Sequence, residues 1–216
     1  MAVCRLHGTE TMTSTVSSTS DHLLLKTDTI AGPRLRGDLG VWFVILLELL
    51  TFAILFVAYA FARNREPALF QAGQATLDLH SGALNTVLLI TGSWCVARAV
   101  QAVRRDAVQA GARWLVGSLV CGAGFVVVKL AEYAGKAQAW ADMGDDDTFY
   151  MLYFILTGFH FLHVVVGMLA IAYLWWRTRR GAYGRHDCHA LETGAAFWHM
   201  VDLLWIVLFP LVYVLR

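Results

Sequence analysis

The chain has 216 residues, of which 58% are hydrophobic and 15% charged, with a formal net charge of +1. Roughly 45–50% apolar residues would be usual for a soluble domain, and here the excess is gathered into long runs, the mark of a membrane protein. The charge balance says nothing about nucleic acid, and no basic stripe interleaved with aromatics appears, so no nucleic-acid partner is expected; Cys4, Cys95, Cys121 and Cys188 form no CxxC, and no disulfide framework or thiol redox motif is read.

Residues 1–38 are Ser/Thr-rich and mixed in charge, without the basic start, apolar core and cleavage site of a secretory signal. They read as a mobile cytoplasmic tail preceding a membrane domain at 39–216. Met12, at the head of "MTSTVSST", offers an alternative start that would leave residues 1–11 untranslated.

Five stretches then reach the roughly 20 apolar residues that a helix needs to cross a bilayer. They are 39–62 ("LGVWFVILLELLTFAILFVAYAFA"), 80–101, 113–134, 149–176 and 192–215. Lipid offers no partner for backbone groups, and the runs are too long and too unalternating for barrel strands, so all five read as helices. The expected fold is all-α: a polytopic bundle of five transmembrane helices, with no internal repeat and no soluble domain.

Loop charges orient it. Arg5, Lys26, Arg34, Arg36, Arg98, Arg104, Arg105, Arg113, Arg177, Arg179, Arg180 and Arg185 fall on one side, against Arg63, Arg65, Lys136 and Arg216 on the other. Twelve against four predicts a cytoplasmic N-terminus and an external C-terminus. The acidic "DMGDDDTFY" of residues 142–150 then lies outside, where its carboxylates suit the start of the fourth span. Cys95 and Cys121, inside apolar runs, read as packing thiols, and "HDCH" at 186–189 as a solvated turn.

Ionisable groups inside spans are costly, roughly 2.5–3.5 kcal/mol for Asp, Lys or Arg on insertion scales. Glu48 stands in the first span with no charged neighbour along its own helix, Asn85 in the second, Lys129 and Glu132 in the third, His160 and His163 in the fourth, His199 and Asp202 in the fifth. At about 100° per residue, Thr157, His160, His163 and Gly167 share one arc. Gly122, Phe125, Lys129, Glu132 and Tyr133 share another, as do Glu192, His199 and Asp202; Ser81, Asn85 and Gly92 form a small, polar face. These faces are expected to turn toward one another, so that His160, His163, Glu132, His199 and Asp202 converge between the third, fourth and fifth spans. Three uses of such a seam compete: hydrogen-bonded glue with bound lipid or water; a metal or haem site, with His160 and His199 as axial ligands; and a proton or ion path through Glu48, Lys129, Glu132 and Asp202.

"TGFHFLHVVVGMLAI" (157–171) and "FWHMVDLLWIVLFPLVYV" (197–214) closely resemble the last two helices of subunit III of the haem–copper oxidases. "WFVILLELLTFAILF" (42–56), "ALNTVLLITGSW" (83–94) and "LAEYA" (130–134) resemble that family's earlier segments in the same order, so the likeness covers roughly residues 38–215. The mitochondrial type has seven helices; this chain looks like the five-helix form found in bacterial quinol oxidases. Its C-terminal wording especially resembles the subunit-III-like protein associated with bacterial nitric oxide reductase. The resemblance implies a non-catalytic accessory subunit of the bacterial cytoplasmic membrane that binds no haem or copper itself. Its partner would be a catalytic subunit I carrying haem with copper or iron, in an oxidase or a nitric oxide reductase. It further implies phospholipid held in a cleft between helices, support of proton uptake and of active-site durability, and a buried hydrogen-bond network in place of a metal site. A haem-binding membrane cytochrome and a standalone proton-coupled transporter are the other readings.

Overall fold

A computed structural model of the chain describes residues 39–143, 148–181, 183 and 188–215. The expected tail at 1–38, the alternative start at Met12, Asp145 to Asp147 of the acidic loop, and His186 and Asp187 lie outside the described residues.

All described secondary structure is helical: α1 Leu39–Arg65, α2 Pro67–Ala75, α3 Leu79–Arg104, α4 Val108–Met143, α5 Thr148–Arg179 and α6 His189–Phe209, with a π-helical turn over Pro210–Val214. The spans α1, α3, α4, α5 and α6 with its π turn are each long and apolar enough to cross a membrane, so the five-span all-α expectation holds. The short helix α2 was not anticipated. It begins because Pro67, at the first helical position, needs no hydrogen-bond acceptor there. At nine residues it is too short and too mixed in composition to register as a span.

Local chemistry sets the other ends. Asp78 caps α3, its carboxylate accepting from the His80 and Ser81 amides at 3.0 and 3.3 Å and from the Ser81 hydroxyl at 2.6 Å. Gly181, at φ +70°, closes α5 in the left-handed conformation that glycine adopts without penalty. Pro210 has no N–H to continue the α6 ladder, and the chain widens there into a π turn, closed by the Leu215 amide donating to the Pro210 carbonyl at 2.9 Å.

Within the bundle α3 packs on α4 and α6, α5 lies against α4 and α6, and α1 leans on α5 and α6. The centre is an indole in a slot of glycines. Trp198 of α6 is buried, and Cβ atoms added to Gly92 of α3, Gly122 of α4 or Gly167 of α5 would stand 3.5, 3.1 and 3.1 Å from its ring. Small residues therefore let three helices close on one large side chain. Exposed apolar residues such as Phe43, Leu47, Val57, Val120 and Leu169 cover the outside.

Candidate functional site

The polar residues of the spans turn inward, but they form separate stations and not one seam. The most completely bonded station joins α4, α5 and the π turn. Lys129 is fully buried, and its ammonium donates to Glu132 Oε2 at 3.1 Å, Tyr153 Oη at 3.1 Å and Tyr213 Oη at 2.6 Å. Both phenols pass their own protons on, each donating to Glu132 Oε1 at 2.7 Å. All three ammonium protons are thus used, and both carboxylate oxygens are bonded. The rings of Tyr133, Tyr153, Trp205 and Tyr213 stand 5.1–5.5 Å from the ammonium and add cation–π attraction. The cluster is neutral as a whole, which is how a lysine can sit where lipid surrounds the helices.

The π turn builds this station. Its extra residue gives Tyr213 the place that residue 212 would hold in an uninterrupted α-helix. That place is seven residues after Trp205 and within about 20° of its face. The two rings lie 6.3 Å apart, and Tyr213 reaches the lysine. The same turn aims the Val212 carbonyl at the buried Gln74 of α2, which donates to it at 3.1 Å.

The second station joins α1 to α5. Glu48 Oε2 lies 3.1 Å from His163 Nε2, while His163 Nδ1 lies 2.8 Å from the Phe159 carbonyl. A carbonyl can only accept, so Nδ1 carries a proton. The Glu48 carboxyl thus stands within ion-pair distance of the opposite edge of the same ring. Glu48 is therefore not the isolated carboxyl that its own helix suggested, because its partner comes from a helix more than a hundred positions on.

The third station joins α3 to α6. Ser93 Oγ and His199 Nδ1 are 2.5 Å apart, and the Asp202 carboxyl faces the same serine. Trp205, one turn on, donates from Nε1 to Thr86 Oγ1 at 2.9 Å. At the arginine-rich rim the Arg104 guanidinium donates to Glu192 Oε1 at 2.9 Å from Nε, so Glu192 serves α3–α6 closure and not the interior.

His160 and Asn85 are fully buried, and neither side chain has a hydrogen-bond partner among the described residues. His160 sits in an aromatic cage, its ring centroid 5.1 Å from Trp205, 5.8 Å from Phe125 and 6.3 Å from Phe52. The expected convergence of His160, His163, Glu132, His199 and Asp202 is thus corrected. Glu132 keeps to the lysine cluster, His163 turns to α1, His199 and Asp202 turn to α3, and His160 stands among rings. The physical reason is that each span has polar groups on a face about 120° wide, enough to address two neighbours. His199 is engaged with Ser93 of α3, while His160 stands among the rings of Trp205, Phe125 and Phe52. Among the described residues no three His, Cys, Asp or Glu side chains are grouped as a metal site requires.

Several contributors were missed. Tyr153 lies one turn before the Thr157–His160–Gly167 arc, and extending that arc backward would have found it. Ser93 adjoins Gly92 in sequence but lies about 100° round the helix from the face already noted. Trp205 stands in the 197–214 segment that carries the family resemblance, but nothing in the sequence pointed either it or Tyr213 at the lysine.

A family model described as cytochrome c oxidase subunit III matches residues 34–216. The chain belongs to that family. It is 33% identical over 178 residues to the cytochrome c oxidase subunit 3 of Synechocystis, covering 82% of this chain and 74% of that protein. The probable cytochrome c oxidase subunit 3 of Mycobacterium tuberculosis is 27% identical over 205 residues, covering 95% of this chain and 100% of the relative. A heme-copper oxidase subunit I+III of Aeropyrum pernix is 32% identical over 188 residues, which is 84% of this chain but 23% of that longer protein. Membership carries the accessory-subunit reading and lends nothing to the cytochrome or transporter readings. In a subunit III chain the inward stations read as bonds that hold five helices in register.

Proposed function

We propose that this chain is the accessory, non-catalytic subunit III of an oxygen-reducing haem–copper oxidase in a bacterial cytoplasmic membrane, docked on a catalytic subunit I that holds the haem and copper. The observation that carries the reading is the match to part of a relative named as a fused subunit I+III, because fusion needs the two parts to work side by side. The geometry supports it: Lys129 is paired with Glu132, and Glu48 lies beside His163, inside the chain, as a scaffold requires. Residues 39–216 are the docking domain, the N-terminus is cytoplasmic, and membrane phospholipids cover the apolar exterior not taken by subunit I. Glu48, partly exposed and 3.1 Å from His163, is the residue through which the subunit would support proton uptake.

The test is purification of the tagged chain from native membranes in mild detergent. Subunit I of an oxidase should co-purify, with haem bound to that polypeptide and oxygen consumption in the preparation. A chain that purifies alone with stoichiometric haem would overturn the proposal. Capture of a nitric oxide reductase would replace its oxidase arm.

A further inference from the structure

The lysine cluster holds two phenols in a relation that bonding to lysine alone does not require. Tyr153 and Tyr213, both buried, donate to the same carboxylate oxygen, Glu132 Oε1, at 2.7 Å each, and their own hydroxyl oxygens stand 3.5 Å apart. The ammonium needs only acceptors, and a hydroxyl or an amide would serve it. Phenols add rings that can give up an electron. Trp205 continues the row of such rings 6.3 Å from Tyr213, and Tyr133 stands 6.3 Å from Tyr153 on the other side. Tyr133 differs in one respect: its hydroxyl donates to the Thr157 hydroxyl at 2.8 Å, which is no base. Glu132 also lines a groove of about 570 Å³ between α3 and α4, shared with Asp78, Ser81 and Lys136. The cluster therefore meets open space at its carboxylate.

We propose that Tyr153 and Tyr213 form a redox-active pair, which a high-potential one-electron oxidant converts to a neutral tyrosyl radical while the phenolic proton passes to Glu132. One phenol loses one electron to the oxidant, a metal centre or metal complex. Its O–H bond breaks, and a carboxylic O–H bond forms on Glu132 Oε1 along the 2.7 Å contact. Loss of an electron makes a phenol strongly acidic. A buried phenol with no base at hydrogen-bond distance would have to remain a radical cation where charge is poorly solvated. The cluster then carries one positive charge in excess, which it sheds when the proton leaves Glu132 through the groove. A one-electron reductant, such as a thiol or a reduced metal centre, returns the electron, and a proton comes back the same way. Lys129 donates to both phenol oxygens and so keeps a hydrogen bond on the radical oxygen. The inference concerns bonds inside this chain and stands apart from the accessory-subunit reading.

Flash oxidation of the full chain in detergent micelles tests this, with photogenerated ruthenium(III) tris-bipyridine as oxidant and electron paramagnetic resonance of the freeze-trapped sample as readout. The unaltered protein should give a neutral tyrosyl radical, identified by narrowing of its spectrum with deuterated tyrosine. Electron–nuclear double resonance should show coupling to exchangeable protons, the mark of the Lys129 donor. Tyr153→Phe/Tyr213→Phe should lose the signal, while Tyr133→Phe and the exposed Tyr173→Phe should keep it. Lys129→Met/Glu132→Gln retains both phenols but offers them an amide that cannot take the proton, and it should lose the signal too. In the unaltered protein, absence of a tyrosyl radical, or a radical without exchangeable coupling, would overturn the proposal, and this arm decides even where a variant fails to fold. A signal that persists in either double variant, or that vanishes in Tyr133→Phe, would overturn it as well.

Discussion

Replacing Lys129 by Met removes a charge and keeps most of the volume. The ammonium makes three hydrogen bonds, and its loss leaves Glu132 accepting only from two phenols. Breaking a buried pair by deleting one partner costs about 3–5 kcal/mol, because the remaining charge stays buried without compensation. For a chain of this size that corresponds to a fall in thermal midpoint of roughly 10 °C, at about 2–4 °C per kcal/mol. The loss should be largely rescued in Lys129→Met/Glu132→Gln, which removes both charges while an amide still accepts from Tyr153 or Tyr213. The double variant should therefore be less destabilised than the two single changes added together, by about 1–3 kcal/mol of coupling. Thermal unfolding of the detergent-solubilised protein, followed by tryptophan fluorescence, reads all three variants. Leu130→Met on the lipid-facing side of the same helix is the control. If Lys129→Met moved the midpoint no further than Leu130→Met, or if the double variant were simply additive, the closed cluster would not be what holds α4, α5 and the π turn together.

Gly122→Val should push on the Trp198 ring and on Met168, which stand 3.1 and 3.0 Å from the added Cβ, and cost about 1–3 kcal/mol by overpacking, read as a lowered thermal midpoint. Glu48→Gln should leave assembly intact, since an amide can still donate to His163 Nε2. Glu48→Leu should weaken α1 docking by about 1–3 kcal/mol through the unpaired imidazole, read by limited proteolysis of α1; loss of oxygen consumption during sustained turnover in an assembled Glu48→Gln complex would assign Glu48 a proton role. The Ser81 and His80 donors hold the Asp78 carboxyl below its ordinary value. With the folded value depressed, its capping contribution is present above the unfolded carboxylate value and is lost as pH falls through the folded one. The protection of the His80 and Ser81 amides, relative to intrinsic exchange at the same pH, should therefore fall on acidification and already be low at neutral pH in Asp78→Ala.

The spans were legible because hydropathy over some twenty residues is a local property of the chain. The inward faces were legible for the same reason: 3.6-residue periodicity puts Thr157, His160 and Gly167 on one side of α5 whatever surrounds it, and all three are buried. Partner choice was not legible. Which neighbour a polar face meets depends on the order of helices around the bundle, and nothing local to "VILLELLTFAIL" names His163 as the partner of Glu48. Nor could an unbroken helical wheel place Tyr213, since its register is reset by Pro210.

That reset also explains why the lysine cluster sits where it does. In a regular helix, residue 213 would lie about 80° from the face of Trp205, and the third donor bond of Lys129 would have no acceptor from α6. A buried ammonium with one proton unsatisfied would lose a charge-assisted bond of about 1.5–3 kcal/mol. The π turn gives up regular α-helical bonding at the end of α6 and gains a phenol for the lysine, a second donor for Glu132 and the Val212 carbonyl for Gln74. Proline at 210, which cannot donate, is what makes the exchange favourable. Pro210→Ala would restore the missing N–H and let the α-register continue. It should therefore draw Tyr213 off the cluster and destabilise the bundle, although the same change in an isolated helix would be stabilising. A Pro210→Ala protein with an unchanged or raised thermal midpoint would show that the π turn is incidental to the lysine site.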